Sequence, residues 1–285
     1  MKKAIIVPNP KKDKDLAVTA LVAQKLGSFG ISCYAADEYS ALSANGVEIY
    51  DVPPADADCV IVIGGDGSVI DASGLALALD IPLLGINLGK VGYLGSVDID
   101  NLDSLAALCS GGYRVEEKLL LCASKISADG KALTCTHKAV NDVVISHDDY
   151  LGISDFVLES GHGDRIKYRA DGIIVSTPVG STAYSLSAGG PVISHAIDSI
   201  AVTPICPHSF FNRTIIYAPN EEIIVSNEGD NSLNISVDGR YFSSLSRGEA
   251  CAVYVSKKKF KMIVFSENNM FSVLFKKIKV LEDQA

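Results

Sequence analysis

The stretch of sequence that decides the fold is Ile61-Val62-Ile63-Gly64-Gly65-Asp66-Gly67-Ser68, an apolar run that breaks into glycines and then opens a helix pattern. We expect the glycines to let the backbone turn with positive φ and to bring bare N–H groups close to an anion. A helix beginning near Ser68 would point the positive end of its dipole at the same place. The stretch therefore predicts a phosphate-binding loop at the end of a buried strand.

Asp66 is the unusual residue of this loop, because a carboxylate repels phosphate unless it binds a metal or accepts a proton. The loop alone leaves three interpretations open: a base, a magnesium contact, or a turn former, since Gly-Asp-Gly is also common in tight turns. The loop lacks the Lys-Ser or Lys-Thr of a P-loop and the GxGxxG spacing of a dinucleotide fingerprint. Both of those nucleotide-binding motifs are therefore disfavoured.

The composition is that of a folded protein of one large or two ordinary domains. The chain has 285 residues, 48% of them hydrophobic and 21% charged. Its net charge of -9 argues against a nucleic-acid partner. The seven cysteines include no CxxC pair, and no apolar stretch approaches the ~20 residues of a membrane helix. We expect a cytoplasmic protein that binds neither nucleic acid nor a membrane.

The first part of the chain alternates buried-strand and helix patterns, which predicts an N-terminal Rossmann-like α/β domain over residues 1–112. Ligands of such a sheet bind at the carboxyl ends of its strands, where the glycine loop lies. The predicted strands are 4–7, 59–63 and 83–86, and the predicted helices are 16–26, 69–79 and 102–108.

From residue 113 the pattern changes to short runs rich in Val, Ile, Thr and Tyr, separated by turn signals such as Ala128-Asp129-Gly130-Lys131. These runs predict a C-terminal β-sandwich domain over residues 113–255. We expect the last segment, 256–285, and in particular the basic, apolar stretch Phe271 to Leu281, to pack back on the first domain.

Three further motifs carry a resemblance to a known family. Gly85-Ile86-Asn87-Leu88-Gly89-Lys90-Val91-Gly92-Tyr93-Leu94-Gly95 leaves a strand for a second glycine loop, Asn141-Asp142 pairs an amide with an acid, and Gly180-Ser181-Thr182-Ala183-Tyr184-Ser185 is rich in hydroxyls. Together with the GGDG loop, and in this order along nearly the whole chain, these motifs resemble the NAD kinases. GGDG itself is shared with 6-phosphofructokinases and with diacylglycerol and sphingosine kinases.

The resemblance implies transfer of the ATP γ-phosphate, or that of another donor, to the 2′-hydroxyl of the adenosine ribose of NAD. It maps the catalytic aspartate of the family onto Asp66, which would accept the proton of that hydroxyl. We expect Mg²⁺ or another divalent metal to arrive with ATP rather than at a site made only of protein side chains. The residues predicted to bind the donor phosphates are Gly64, Gly65, Gly67, Ser68 and Asn87.

The resemblance also implies an NAD site in the second domain. Asn141 would hold the base and Asp142 the ribose, Asp171 would lie near the nicotinamide, and Tyr184 would stack on a ring. The full set of predicted NAD-binding residues is Asp66, Gly67, Asn141, Asp142, Asp171, Thr182, Ala183, Tyr184 and Ser187. The family is usually dimeric or tetrameric, so a homodimer or homotetramer is expected.

The chain departs from the family at three positions: Asp142 replaces the usual Glu, Val179 a frequent Ser or Thr, and Thr214 a usual Pro. Two alternative functions stay open. A lipid or sugar kinase could use the same GGDG loop, although the chain shows no basic amphipathic helix that would meet a membrane. A non-catalytic NAD(P)-sensing module is the other alternative, and the acid of the glycine loop argues against it.

Overall fold

The computed structural model describes residues 1–88, 92–131, 137–147, 153–209, 211–265 and 273–275. The chain divides into two compact units. One consists of Met1–Glu117 together with the chain from Phe260 onward, and the other is Lys118–Lys259. Most of the stretch Phe271 to Leu281, which we expected to pack on the first domain, lies outside the described residues. None of the helices described is long and apolar enough to cross a membrane.

The first unit is built on a mainly parallel sheet whose strands lie in the order β3-β2-β1-β4-β5-β20-β7, with β6 also paired to β5. Its strands are β1 (Lys3–Pro8), β2 (Ser32–Ala36), β3 (Glu48–Tyr50), β4 (Cys59–Gly64), β5 (Leu83–Asn87), β6 (Gly95–Asp98), β7 (Arg114–Lys118) and β20 (Phe260–Val264). Its helices are α1 (Ala17–Ser28), α2 (Asp66–Leu79) and α3 (Ala107–Ser110), with 3-10 helices at Asp37–Asn45 and Ile99–Ala106. The helix expected over 102–108 is thus largely a 3-10 helix.

The strand order reverses between β1 and β4, because the chain continues from β1 to β2 and β3 on one side and from β4 to β5 on the other. Every residue of β4 is buried, as expected for a central parallel strand covered on both faces. In open α/β sheets, ligands bind at such a reversal, beside the carboxyl ends of the strands. The loops that follow β1 and β4 are therefore the places to look for a site.

The second unit is a β-sandwich, as predicted. One six-stranded sheet has the order β15-β14-β13-β10-β17-β18 and the other the order β12-β11-β16-β19-β8-β9. The strands are β8 (Leu121–Ile126), β9 (His137–Ala139), β10 (Asp142–His147), β11 (Ser154–Ser160), β12 (Arg165–Ala170), β13 (Gly172–Ser176), β14 (Ile200–Ile205), β15 (Ile215–Tyr217), β16 (Ile223–Asn227), β17 (Leu233–Val237), β18 (Arg240–Leu245) and β19 (Ala250–Val255). A 3-10 helix, Gly180–Thr182, and a single turn of helix, α4 (Tyr184–Ser187), follow β13.

Alternation along the sandwich strands separates a buried face from an outer face. In β10, Val143 and Ile145 belong to the core between the sheets, whereas Asp142 and Ser146 line a cleft outside it. Each large apolar side chain buried in this core contributes about 1.5–3 kcal/mol of transfer free energy. The period of two therefore fixes which β10 residues are available to a ligand.

Candidate active site

The loops after β1 and β4 lie side by side in the first unit. Asn9, directly after β1, donates from its N–H to the carbonyl of Ile63 at 3.0 Å, and its Nδ2 donates to Ser68 Oγ at 2.7 Å. These bonds place the start of α2 beside the Asn9 loop. The strand reversal thus brings two loops, distant in sequence, to one place.

The glycines of the GGDG loop serve a different purpose from the one predicted. None of Gly64, Gly65 and Gly67 has positive φ, and Gly65 is extended with φ -130°. The expectation of a left-handed turn was wrong, because β4 runs straight into α2 and needs no reversal. Gly64 is required for space instead, since a Cβ there would lie 2.5 Å from the Cβ of Ser68.

Helix α2 begins at Asp66, two residues before the predicted start at Ser68. Asp66 is therefore the first helical residue, where the helix dipole favours a negative charge. Gly67 is the second, and a Cβ there would meet nothing within 4 Å. Neither its φ nor packing among the described residues accounts for a glycine at this position, although Gly costs a helix about 1 kcal/mol relative to Ala.

The Asp66 carboxylate is fixed by main-chain amides. Its Oδ2 accepts the N–H of Tyr93 at 3.1 Å and its Oδ1 accepts the N–H of Leu94 at 3.0 Å. The second glycine loop approaches closely enough for these bonds because residue 92 has no side chain. A Cβ on Gly92 would overlap Asp66 Oδ1. The GGDG loop and the second glycine loop thus form one site, in which the second loop holds the Asp66 carboxylate.

Asn87 ends β5 and belongs to the same arrangement. Its side chain is 4% exposed, and its Nδ2 donates to Asp98 Oδ1 at 3.2 Å. Its Oδ1 lies 2.9 Å from where a Cβ of Gly92 would be, and a Cβ on Gly95 would overlap its carboxamide. The oxygens of Asp66 and Asn87 therefore converge on Gly92. Residues 89–91 of this glycine loop lie outside the described part of the chain.

Sequence reasoning missed Lys12, which reaches the GGDG loop from the β1 side. A Cβ on Gly65 would lie 2.8 Å from Lys12 Nζ. The Lys12 ammonium has no carboxylate partner among the residues described, whereas its neighbour Asp13 is buried and accepts the N–H of Thr19 at 2.8 Å. A lysine after a strand is a weak sequence signal on its own, and only the strand order shows that this one meets the glycines.

The candidate site of the second unit is an open cleft of about 450 Å³ on the outer face of one sheet. It brings together four of the predicted NAD-binding residues: Asn141, Asp142, Ala183 and Tyr184. The cleft is completed by Val144, Ser146, Ser236, Asp238 and Gly239. Its size and its few polar groups suit part of a nucleotide.

The backbone of Asn141 is held from two sides. Its carbonyl accepts the N–H of Thr177 at 2.8 Å, and its own N–H donates to Asp238 Oδ1 at 2.8 Å. Gly180 packs against it so closely that a Cβ there would lie 2.7 Å from the Asn141 Cα. The Asn141 side chain is therefore presented to the cleft from a rigid main chain.

Asp238 is a second residue whose part the sequence did not show. It sits at the tip of the β17–β18 hairpin, and its carboxylate accepts the N–H groups of Val140 at 2.8 Å, Asn141 at 2.8 Å and Asp142 at 3.1 Å. Its own N–H donates to the carbonyl of Asp142 at 3.0 Å. Nothing in the sequence Val237-Asp238-Gly239 indicates which strand it contacts.

The Asp142 carboxyl faces the cleft and has no hydrogen-bond partner among the residues described. Asp142 is 5% exposed, and burial, together with the nearby charge of Asp238, raises the pKa of its carboxyl to about 7. A buried acid without a partner is costly in a folded protein. Buried acids with strongly shifted pKa values are typical of ligand-binding and catalytic sites.

Of the other predicted NAD-binding residues, Asp66 and Gly67 belong to the first unit. Thr182, Ser187 and Asp171 belong to the second unit but do not line this cleft. The Thr182 hydroxyl donates to the main-chain carbonyl of Val179 at 3.1 Å. This hydrogen bond does not depend on the side chain at residue 179, where the family often has Ser or Thr. Ser187 is exposed at the end of α4. Asp171 is half-buried, and its charge, with burial as the larger cause, contributes to the raised pKa of Tyr184. Tyr184 itself is 47% exposed, which leaves its ring free to stack.

Thr214, the third departure from the family, joins a row of hydroxyls behind α4. Its Oγ1 lies 3.0 Å from Thr203 Oγ1, which in turn lies 3.0 Å from Ser185 Oγ. Gly190 allows this row to form, since a Cβ there would lie 2.5 Å from Ser185 Oγ. The hydroxyl of Thr214 is thus satisfied internally.

Known proteins match both parts of this chain. Residues 5–113 match the family model described as ATP-NAD kinase N-terminal domain, and residues 140–265 match the ATP-NAD kinase C-terminal domain. An NAD kinase of Lachnoclostridium phytofermentans is 32% identical over 286 residues, covering 96% of this chain and 98% of that protein. An NAD kinase of Lachnospira eligens is 38% identical over 255 residues, covering 88% and 84%.

Solved structures share the fold. A yeast NADH kinase complexed with NADH has a TM-score of 0.83 at 20% identity, covering 98% of this chain and 88% of that one. An NAD kinase from Archaeoglobus fulgidus in complex with ATP has a TM-score of 0.73 at 23% identity, covering 97% and 98%. At such low identity these likenesses concern the fold alone.

Proposed function

Because this chain belongs to the NAD kinase family, we propose that Asp66 is its catalytic base and that the cleft at Asn141 and Asp142 holds the adenosine end of NAD. The chain is an NAD kinase, which phosphorylates NAD to NADP with ATP. The observation that carries the assignment of the base is the fixed carboxylate of Asp66, held by two main-chain amides at the start of α2.

Asp66 accepts the proton of the ribose 2′-hydroxyl as the phosphoryl group arrives. Phosphoryl transfer needs positioning more than covalent help, so an immobile acceptor is well suited to orient that hydroxyl. The N–H groups of Tyr93 and Leu94 bond one oxygen each, so the orientation of the carboxylate is fixed before the substrate binds.

The donor phosphates bind at the start of α2, where the helix dipole and the main chain of the first turn favour an anion. Gly65 and Gly67 leave the main chain bare, Ser68 is anchored by Asn9, and the Lys12 ammonium adds a positive charge over Gly65. Gly64 and Asn87 complete this site. The absence of a Cβ at Gly67, which the fold does not demand, supports close approach of a phosphate.

Mg²⁺ accompanies ATP and, when bound, neutralises part of the triphosphate charge. The residues described contain no cluster of three His, Cys, Asp or Glu side chains able to hold a metal. Asp66 and Asn87 nevertheless present two converging oxygens near Gly92, which are ligands that Mg²⁺ accepts beside phosphates and water. This donor set fits a metal brought by the nucleotide.

In the second unit, Asn141 recognises the adenine edge and Asp142 the ribose hydroxyls, while Tyr184 stacks on a ring and Ala183 leaves room for it. Thr182, Ser187 and Asp171 act at the margin of the cleft, Asp171 towards the nicotinamide. The side chain of Asp142 is shorter than that of the Glu usual in the family. It still reaches the ribose, because the start of β10 that carries it is firmly held. The yeast neighbour was solved with NADH and the archaeal one with ATP, which supports these two ligand classes.

The protein further acts in the cytoplasm as a homodimer or homotetramer, with residues 1–112 and 256–285 forming the donor domain and 113–255 the NAD domain. A sedimentation measurement with and without NAD tests the oligomeric state. A monomer under both conditions would contradict this part of the proposal.

The activity is tested by incubating the protein with Mg²⁺ and NAD and following NADP with an NADP-specific dehydrogenase. Parallel reactions with ATP, other nucleoside triphosphates and polyphosphate identify the donor, and NADH in place of NAD identifies the acceptor. Diacylglycerol serves as the control acceptor. Phosphorylation of the lipid without NADP formation would contradict the function.

Lys12 gives this experiment a matched pair of variants. We expect Lys12→Ala to raise the KM for ATP about tenfold, because it removes the cation over Gly65, while the KM for NAD stays close to that of the wild type. Lys14→Ala removes an exposed charge two residues away and serves as the control. Equal effects of the two variants would show that only the net charge of the loop matters.

A further inference from the structure

We propose that Asp238 is a positioning residue of the NAD site and that it makes loss of the Asp142 proton a part of NAD binding. The proposal rests on the proposed role of Asp142 in holding the ribose. It is carried by two geometric observations: Asp238 accepts the N–H of Asp142 and so fixes the main chain that bears it, and both acids line the same cleft.

The geometry of the hairpin accounts for the fixed main chain. Asp238 and Gly239 are both left-handed, with φ of 48° and 75°, as in a two-residue type I′ turn. This turn folds the Asp238 carboxylate back onto three consecutive N–H groups, those of Val140, Asn141 and Asp142. Since Val237 is paired with Val143 in the sheet, the hairpin cannot shift without moving the β10 end.

The two acids differ in which one keeps its charge. Burial raises the pKa of Asp238, but three N–H donors and the charge of Arg240 oppose that rise. No described residue donates to the Asp142 carboxyl, and burial and the Asp238 charge together raise its pKa to about 7. Asp238 is therefore the acid whose ionised form the protein supports with hydrogen bonds, and Asp142 is the acid of the pair that more readily holds a proton.

The other described groups around Asp142 do not stabilise the ionised form of its carboxyl. Tyr184, from the segment after β13, has a raised pKa because of burial and of the charges of Cys206, Asp171 and Asp142, so it is neutral in this pH range. Asp171 adds a further negative charge on this side. Arg240, the first residue of β18, acts on Asp238. Ser146 and Ser236 line the cleft without charge.

NAD changes this balance by bringing hydroxyl donors. A ribose O–H donates more strongly to a carboxylate than to a neutral carboxyl group, so bound NAD favours ionised Asp142. The proton leaves for the solvent, and no covalent bond forms or breaks. Affinity for NAD should then rise with pH, up to about tenfold per pH unit below the pKa of Asp142 in the free protein, and level off above it.

The test is calorimetry of NAD binding without ATP, whose γ-phosphate also titrates near neutrality. Titrations at pH 6.5 in buffers of different ionisation enthalpy count the protons released. We expect release of about three quarters of a proton per NAD from the wild type, the fraction of Asp142 that is protonated at this pH, and none from Asp142→Asn. Asp142→Glu should retain the release, since it keeps an acid beside Asp238. Equal release from wild type and Asp142→Asn would overturn the proposal.

Asp238→Asn separates this role from a purely structural one. Removing the charge lowers the pKa of Asp142, so the pH midpoint of NAD affinity should fall by about one unit or more and proton release at pH 6.5 should decrease. An unchanged midpoint in a folded variant would overturn the proposal. If this variant does not fold, the comparison of wild type with Asp142→Asn decides alone. If Asp142→Asn does not weaken NAD binding at pH 8, the NAD site itself is misassigned.

Discussion

Asp66 and Asp142 are two acids at strand or helix ends that the protein prepares in opposite ways. Both oxygens of Asp66 accept main-chain N–H groups, those of Tyr93 and Leu94. The Asp142 carboxyl has no such donor among the residues described, because the nearby N–H groups go to Asp238 instead. One acid is held ready before substrate arrives, and the other is left for the substrate to satisfy.

The difference shows that the role of each acid determines which hydrogen bonds the protein provides for it. An acid that receives a proton during the reaction gains from an immobile position that needs no rearrangement. An acid that recognises a ligand gains specificity when its hydrogen-bonding capacity is met only by that ligand. Glycine makes the first arrangement possible and a neighbouring carboxylate makes the second.

The strongest challenge to this comparison is Asp66→Asn. We expect turnover to fall about 10²–10⁴-fold, since the amide accepts no proton, while NAD affinity remains close to that of the wild type. Thermal unfolding should move slightly lower, because the Asn NH2 group would face one of the N–H donors of Tyr93 and Leu94. Steady-state NADP formation and a melting curve measure both. Full activity in this variant would remove Asp66 as the base.

Gly92→Ala tests whether the position of Asp66 matters as much as its charge. The added methyl group would overlap Asp66 Oδ1 and lie 2.9 Å from Asn87 Oδ1, so the carboxylate must move. We expect kcat to fall about 10–100-fold with little change in the KM for NAD. A kcat close to that of the wild type would show that the carboxylate tolerates displacement.

Gly67→Ala and Gly74→Ala form a matched pair on α2, since a Cβ at either position meets nothing within 4 Å. Both should stabilise the helix by about 0.4–1 kcal/mol. Only Gly67→Ala should raise the KM for ATP, by about threefold to tenfold, because its methyl group stands where a phosphate approaches. If the KM for ATP is the same in both variants, Gly67 lies outside the donor site.

Asp142→Asn should have the smallest effect, and it concerns stability. The carboxyl ionises near pH 4 when unfolded and at about 7 when folded, so the stability of the wild type falls as pH rises through that window. Asparagine carries no charge to bury. The variant should therefore be more stable by about 1–3 kcal/mol at pH 8, or roughly 3–8 °C, and the difference should approach zero at about pH 3.5. The same gain at both values would contradict the raised pKa.

Much of the fold could be predicted because its signals are local. The buried run before Gly64 and the short strands after residue 113 have periods that single elements impose, and the resulting α/β unit and β-sandwich were confirmed. The reason given for the glycines was wrong because the same residue type serves both positive φ and close approach. Only packing distinguishes these roles, as the overlap at Gly64 with Ser68 shows.

The sequence by itself determined which chemistry is present: an acid among glycines, an amide-acid pair, and a family resemblance that follows from residue types at fixed spacings. The tertiary structure alone decided the partners of those groups. Lys12 meets Gly65 because the strand order reverses between β1 and β4, and Asp238 meets Asp142 because β17 pairs with β10. Both contacts join residues that are far apart in the chain. Hydrogen bonds and charge interactions depend on distance in space, so such contacts produce no periodic pattern in the sequence.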